Sequence, residues 1–294
     1  MIVLDSLAEA KLWRKNLDEG ETLALVPTMG ALHEGHRSLL RAARARCDTV
    51  VLTIFVNPRQ FSSSEDLDEY PQRVKEDLDA AAADGVDLVW LARAQEVYPP
   101  GFATQVSLPA LADRLCGKSR PHHFGGVALV VLKLFNIFTP DEAFFGDKDY
   151  QQATIIDRLV ADLDLDIEIV RCPLIREPDG IALSSRNRNL TAEGRVAARA
   201  LSKGLFTAGE LYRMGERIPS RLLLAVSEVI RSEPRAEMEY LELLDPVALD
   251  PIDQRVPQTG AVLLVAVSID GVRLIDNLLL PAGGEVPGGI SDGR

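Results

Sequence analysis

Val26-Pro27-Thr28-Met29-Gly30-Ala31-Leu32-His33-Glu34-Gly35-His36 is the stretch on which the reading of this chain turns. Leu23 to Val26, just before it, has the character of a short buried strand. Ser38 to Cys47, just after it, has an apolar stripe at helical spacing, with arginines on the other side. A strand therefore gives way to a helix through a Gly-rich segment that carries His33 and His36. The start of a helix offers unpaired N–H groups and the positive end of its dipole, so it is a natural seat for phosphate. Gly30 and Gly35 let the backbone come close to a ligand.

The neighbouring segments extend the pattern. Asp5 to Leu17 is amphipathic and reads as a helix, with Ser6 as a possible cap. Thr49 to Val56 is a near-continuous apolar run, which suits a strand buried on both faces of a parallel sheet. Val74 to Asp84 reads as a helix and Asp87 to Leu91 as a strand. Val127 to Phe138 follows as a helix, then Glu142 to Phe145 as a strand ending at Gly146. Tyr150 to Leu163 reads as a helix, and Ile167 to Val170 as a strand. Strands alternating with helices imply parallel βαβ units and a doubly wound α/β domain. In such sheets ligands bind beyond the carboxyl ends of the strands, which is where the polar clusters described below fall.

After Pro173 the pattern changes. Thr191 to Gly215 and Ser220 to Ser232 read as helices, with Thr191 or Ser220 as caps. Ala236 to Leu244, Ala261 to Ile269 and Val272 to Leu280 read as strands, and Asp270-Gly271 is a hairpin signal. The expected organisation is a large domain over residues 1–174, a smaller α+β domain over 175–283 and a disordered tail over 284–294. The segment from Pro281 onward is rich in glycine and poor in apolar residues.

Composition narrows the class. A chain of 294 residues that is 47% hydrophobic can bury a sizeable core. Its net charge of −12 argues against nucleic acid as the main partner. Cys47, Cys116 and Cys172 form no CxxC pair, which disfavours a disulfide framework and fits a reducing cytoplasm. Met1 to Ala10 is too short and acidic for a signal peptide, and no apolar run approaches the roughly 20 residues of a membrane span.

All four histidines fall in two pairs, His33/His36 and His122/His123. At a Gly-flanked helix start, the first pair can hold nucleotide phosphates and stabilise developing charge. Zinc binding ranks lower, because HxxH lacks the general base of HExxH and no carboxylate motif completes a site. Asn57 and Gln60 follow a strand and can hydrogen-bond a small polar substrate, although loop capping accounts for Asn57 about as well. The acidic segment Ser62 to Tyr70 reads as a solvated loop or a mobile cover. Arg120 to Gly126 is basic and Gly-rich before an apolar helix, which suits an anion or simply a turn. Gly146-Asp147-Lys148-Asp149-Tyr150-Gln151-Gln152 repeats the strand–Gly–helix arrangement. It places Lys148 for phosphate, with Gln152 four residues on. Ser184, Ser185 and Arg186 could grip a triphosphate or cap a helix. Taken together, these features point to a nucleotide triphosphate enzyme without a Walker P-loop or GxGxxG.

Five motifs carry a family resemblance: PTMGALHEGH (27–36), IFVNPRQF (54–61), RPHHFGGV (120–127), FFGDKDYQQ (144–152) and DGIALSSRN (179–187). In these the chain resembles the pantoate–β-alanine ligase family. HEGH is similar to the HIGH motif of class I aminoacyl-tRNA synthetases and nucleotidylyltransferases, and SSRN stands in the place of their KMSKS loop. The resemblance implies a Rossmann-like, HIGH-type domain with a smaller C-terminal lid domain. It also implies a cytoplasmic homodimer that uses ATP with Mg2+ carried on it, joins (R)-pantoate to β-alanine through pantoyl adenylate, and has no metal on the protein.

By motif, ATP would lie against Met29, Gly30, Ala31, Leu32, His33, Glu34, Gly35 and His36. It would also meet Gly146, Asp147, Lys148, Asp149, Ile175, Leu183, Ser184, Ser185 and Arg186. His36, His33, Lys148 and Arg186 would act on the phosphates, with His36 as the usual proton-donor candidate. Gln60, Gln152, Asn57 and Met29 would hold pantoate, and Gln60 would also meet β-alanine. Arg120 and His123 would shape the pocket. The chain departs from the family's usual pattern at Leu183, where methionine is common, and at Asp147, where glutamate is. Arg59 adds a cation beside the substrate loop.

Two other classes fit parts of the pattern. A nucleotidylyltransferase would stop at adenylyl transfer, and a non-catalytic module would only bind ATP. Gln60, Gln152 and SSRN favour the ligase. The acidic charge and the lack of an anticodon-sized domain disfavour tRNA charging.

Overall fold

The computed structural model describes residues 1–61 and 72–282. The segment 62–70 and the tail 284–294, read above as a loop and as disorder, lie outside the described residues. The chain divides into two compact units, Met1–Pro173 and Leu174–Arg294.

In the first unit, β1 (Ile2–Leu4), α1 (Leu7–Lys15), β2 (Leu23–Thr28), α2 (Glu34–Arg46), β3 (Thr49–Ile54), α3 (Val74–Ala83) and β4 (Leu88–Leu91) come first. α4 (His123–Phe138), β5 (Glu142–Gly146), α5 (Tyr150–Asp162) and β6 (Glu168–Cys172) follow. The six strands form one sheet in the order β1-β4-β3-β2-β5-β6, with every pair parallel.

Burial explains this choice. β3 is buried along its whole length, as a strand covered on both faces must be. Ala24, Val26, Val50, Leu52, Ile54 and Val89 pack on one face against Leu39, Leu40 and Ala43 of α2 and Ala81 of α3. On the other face the ring of Trp90 meets Phe138 of α4 edge-on, with centroids 5.8 Å apart. Helices on both faces make the sheet doubly wound.

The strand order then fixes where a ligand can enter. From β2 the chain builds outward through β3 and β4, whereas β5 and β6 lie on the other side of β2. The winding reverses between β2 and β5, so the switch point lies there. The His-bearing turn leaves β2 and the Gly146–Asp149 turn leaves β5. Two anion-friendly turns are thus neighbours because their strands are paired at Ala24–Glu142 and Leu25–Ala143.

The structure shifts several sequence boundaries. The hydrophobic pattern near the N-terminus was too short to show β1, which pairs with β4 over three residues. α2 begins at Glu34 rather than Ser38, because His33 is an extended N-cap and its N–H donates to His36 Nδ1 at 3.3 Å. α4 begins at His123 rather than Val127. Three short helical turns, Ala94–Val97, Pro109–Ala112 and Cys116–Ser119, lie in a region whose sequence gives no periodic signal.

The second unit holds α6 (Ala192–Arg213), α7 (Pro219–Arg231) and an antiparallel sheet of β7 (Ala236–Leu244), β8 (Gly260–Ile269) and β9 (Val272–Pro281). Thr191 caps α6 by accepting the Gly194 N–H at 2.9 Å. α7 is started by Pro219 at its first position, with Ile218 rather than Ser220 as N-cap. Asp270 and Gly271, at φ 49° and 84°, make the tight β8–β9 turn. Leu201, Leu205, Leu222, Val226, Val265 and Val267 join helices and sheet in one core.

Candidate active site

The turn after β2 is held open from behind. Gly30 and Ala31 both have positive φ, 85° and 52°, and for alanine this is a strained conformation that needs support. Asp77 of α3 supplies it. One carboxylate oxygen accepts the Ala31 N–H at 2.9 Å and the other the Leu32 N–H at 2.7 Å. A Cβ on residue 30 would stand 3.0 Å from that carboxylate and 3.1 Å from Ile54, so the close approach requires glycine. Sequence reading missed Asp77. Its signal was a carboxylate on the same helical face as buried Ala81.

His33 and His36 stack with centroids 4.0 Å apart and planes 22° from parallel. Because His36 Nδ1 accepts the His33 backbone N–H, the neutral ring carries its proton on Nε2. Burial, reinforced by the neighbouring His33 ring, holds the His36 pKa down to about 3. Asp149 raises it and Lys148 lowers it by weaker through-space effects. His36 is therefore a neutral N–H donor at physiological pH, and it senses the charges on the turn that leaves β5. The arginines of α2 are engaged elsewhere. Arg37 and Arg41 pair with Asp84, Arg44 with Asp87, and Arg46 with Glu142 and Glu168.

Lys148 sits in a single 3-10 turn, Asp147–Asp149, between β5 and α5, with its ammonium 3.6 Å from the Asp149 carboxylate. Of the two glutamines that follow, Gln151 is buried. Its side-chain amide N–H groups donate to Leu111 O and Arg114 O, and its oxygen accepts from Cys116 N. Gln152 is only partly buried, and no hydrogen bond of its side chain appears among the described residues.

Gln60 ends a 3-10 turn, Pro58–Gln60, after β3. Its Nε2 donates to Met29 Sδ at 2.8 Å, which joins it to the turn after β2. Its Oε1 accepts from Asn57 Nδ2 at 3.2 Å. Asn57 also donates to Gly126 O at 3.0 Å and accepts from Arg59 N at 3.2 Å and from the Tyr98 hydroxyl at 2.9 Å. Those four bonds use the whole hydrogen-bonding capacity of a buried amide. In this structure the Asn57 amide, expected to hold pantoate, is therefore engaged within the protein. It orients Gln60, so that Oε1 faces the protein, one amide N–H meets Met29 and the other remains for a ligand acceptor. His123 Nδ1 lies 2.7 Å from Gln60 O, and Arg120 donates to the same oxygen at 3.4 Å. Both basic residues hold the turn. Arg59 stacks on Tyr98 and Phe102, with its guanidinium carbon 4.8 and 5.0 Å from their ring centres, which gives this cation its place in the turn.

Ile175 and the segment 183–186 belong to the second unit and lie together there. Leu183 N donates to Ile175 O at 2.9 Å, and Ser184 Oγ accepts from Arg186 N at 3.3 Å. Arg186 is exposed. Among the described residues, no group of three or more His, Cys, Asp or Glu side chains is placed to hold a metal ion, and no helix is long and apolar enough to cross a membrane.

The family model for pantoate–β-alanine ligase matches residues 2–279. A pantothenate synthetase of Pelotomaculum thermopropionicum is 47% identical over 281 residues, covering 95% of this chain and 99% of the relative. That of Chloroflexus aggregans is 48% identical over 280 residues, covering 95% and 100%. Among solved structures, a pantothenate synthetase from Thermus thermophilus superposes with a TM-score of 0.89 at 39% identity, covering 95% and 99% of the two chains. A pantoate–β-alanine ligase from Francisella tularensis, complexed with β,γ-ATP and β-alanine, superposes with a TM-score of 0.78 at 33% identity, covering 95% and 97%.

Proposed function

The chain belongs to the pantoate–β-alanine ligase family, and from that premise we propose that it joins (R)-pantoate to β-alanine in two steps on one site. In the first step a pantoate carboxylate oxygen attacks the α-phosphorus of ATP, which is bound with Mg2+. The bond to the bridging oxygen breaks, and pyrophosphate leaves. In the second step the neutral amine of β-alanine attacks the acyl carbon of the pantoyl adenylate. The acyl C–O bond breaks, AMP leaves with its electron pair, and the amine gives up a proton to water. Pantothenate is the product, and no nucleophile on the protein is needed.

The observation that carries this reading is the neutral His36 ring beside the Lys148 turn. Charge on the phosphates rises as the α-phosphorus is attacked. A fixed Nε2–H donor and an ammonium aimed at such charge stabilise the transition state without reorganising. His36 then acts as a hydrogen-bond donor rather than as an acid that loses its proton. His33 and the backbone from Met29 to Gly35 line the nucleotide, as do Gly146, Asp147 and Asp149. The family pattern adds Ile175, Leu183, Ser184, Ser185 and Arg186 as ATP contacts, with Arg186 on the phosphates.

Gln60 offers its second amide N–H to pantoate and β-alanine, and Gln152 offers its side chain to pantoate. The F. tularensis relative bound to β,γ-ATP and β-alanine supports ATP and β-alanine as ligands here. We place the protein in the cytoplasm as a homodimer without nucleic acid as a partner. Residues 1–174 would hold ATP and pantoate, and residues 175–283 would serve as the lid domain.

Purified protein with Mg-ATP is expected to release AMP and pyrophosphate only when pantoate is supplied, and to make pantothenate only when β-alanine is added too. Adenylyl transfer without an amide product would assign a nucleotidylyltransferase instead. Unchanged ATP affinity in His36→Ala with no turnover in the wild type would assign a binding module. Light scattering checks the dimer.

A further inference from the structure

Arg171 lies on β6, in register with Phe145 of β5, and reaches across to the turn that carries Lys148. Its Nε donates to Asp147 at 2.6 Å, immediately before Lys148. Its guanidinium carbon stands 4.1 Å from the ring centre of Tyr150, two residues after Lys148. Nη1 reaches Asp157 at 3.3 Å and Thr154 at 3.4 Å on α5. Nη2 is buried with no hydrogen-bond acceptor among the described residues.

We propose that Arg171 is a positioning residue for the nucleotide. By gripping the chain on both sides of Lys148, it fixes the direction in which that ammonium points. The inference rests on the reading of Lys148 as a phosphate contact.

Three features support it. A 3-10 turn of three residues has poor internal hydrogen bonding and does not hold its own geometry. Lysine is a flexible point charge whose stem needs an external restraint to be aimed. Arg171 supplies that restraint by one charge-assisted hydrogen bond from Nε to Asp147 and by stacking on Tyr150, contacts that a planar guanidinium makes together and an ammonium does not. For stability alone the grip is a poor choice. It leaves one donor buried and unpaired, whereas an apolar residue at this position would bury none.

The test is ATP affinity by calorimetry in wild type, Arg171→Ala, Arg171→Lys, Asp147→Asn and the double variant Arg171→Ala/Asp147→Asn. Because a displacement of about 1 Å in a positioned group can cost up to about a hundredfold, Arg171→Ala is expected to weaken ATP binding about tenfold. Arg171→Lys, which keeps the charge but loses the planar stack on Tyr150, should fall between. Asp147→Asn removes the grip from the other side, and the double variant should be no weaker than the worse single one, since both break the same contact. Guanidinium ion at low millimolar concentration should restore part of the affinity in Arg171→Ala and in no other variant. The KM for pantoate should stay within about twofold, because Gln60 and its supports are untouched.

Wild-type ATP affinity in Arg171→Ala, or losses that add fully in the double variant, would overturn the proposal. If Arg171→Ala does not fold, Arg171→Lys decides on the same readout. A wild-type protein that binds ATP but forms no AMP with pantoate would remove the ligase reading, while the comparison of ATP affinities would still decide the role of Arg171.

Discussion

Asp77 and Leu32 are 45 residues apart in the chain, yet the Asp77 carboxylate accepts the Leu32 N–H at 2.7 Å. With the Ala31 bond at 2.9 Å beside it, this one side chain fixes the shape of the turn that starts α2. Asp77→Asn turns one of the two acceptors into a donor facing a backbone N–H. Hydrogen bonds to a charged group are worth about 1.5–3 kcal/mol each. A fall of several degrees in melting temperature and a clear rise in the KM for ATP are expected, with the pantoate KM little changed. Unchanged ATP kinetics in a stable Asp77→Asn protein would show that the turn keeps its shape unaided.

His36 makes a prediction about pH. The folded ring stays neutral down to about pH 3, against a reference value of 6.5 for an unperturbed histidine. Between those values the unfolded chain binds more protons than the folded one. The contribution of His36 to stability is therefore whole above 6.5 and is lost as pH falls toward 3. Urea midpoints at pH 7 and pH 5 should drop more in wild type than in His36→Gln. The same neutrality orders the activities. His36→Ala and Lys148→Ala should each lose at least about tenfold, because a single transition-state donor is typically worth a few kcal/mol. His36→Gln keeps a neutral N–H and should lose less than His36→Ala. Equal losses in the two His36 variants would mean that a charged ring is required.

The doubly wound sheet could be read from the sequence because its signals are local. Apolar runs at β2 and β3, a stripe on α2, and Gly-rich turns after β2 and β5 each fit one element and agree with one another. The residues that support the site could not be read this way. Asp77, Tyr98 and Arg171 act through contacts between elements far apart in the chain, and each looks unremarkable beside its sequence neighbours. Asn57 shows the opposite problem. Its position after a strand suggests a ligand residue, and only the fold reveals that Gln60, Gly126, Arg59 and Tyr98 take its four hydrogen bonds in this structure. The start of α2 at Glu34 is hard to read from the sequence for a related reason. A histidine in the capping position is an uncommon helix start, and here His36 takes the reciprocal role that a glutamate usually plays.

Gly126 tests how the turn that carries Gln60 is built. A Cβ there would stand 2.3 Å from Arg59 O and 2.9 Å from Gln60 N, so α4 and the turn Pro58–Gln60 touch through bare backbone. Gly126→Ala must push the turn away and also disturb the Asn57 bond to Gly126 O. Overpacking of this kind costs about 1–3 kcal/mol. Its kinetic sign should be a raised KM for pantoate, with ATP binding changed little, which is the reverse of the Asp77→Asn pattern. A rise confined to the ATP KM would contradict the assignment of Gln60 to the acid substrate.

In the second unit, Arg176 and Asp276 form a bidentate pair at 2.7 and 2.9 Å, with the Asp276 side chain almost fully buried. Arg176 also donates to Gly180 O at 3.1 Å and lies over the ring of Phe206. It therefore ties the bridge between Arg176 and Ala182 to β9. That bridge sets the Leu183–Ile175 contact, and both residues are assigned to ATP. Arg176→Met would leave a buried carboxylate without its counter-ion, at an expected cost of about 3–5 kcal/mol. Arg176→Met/Asp276→Leu should recover most of that loss, because the pair as a whole is close to neutral for stability. If the pair also shapes the ATP contacts, the double variant will melt near the wild-type temperature and still show a raised KM for ATP. Recovery of both properties would limit the pair to a role in stability, and recovery of neither would show that the bridge itself depends on these two charges.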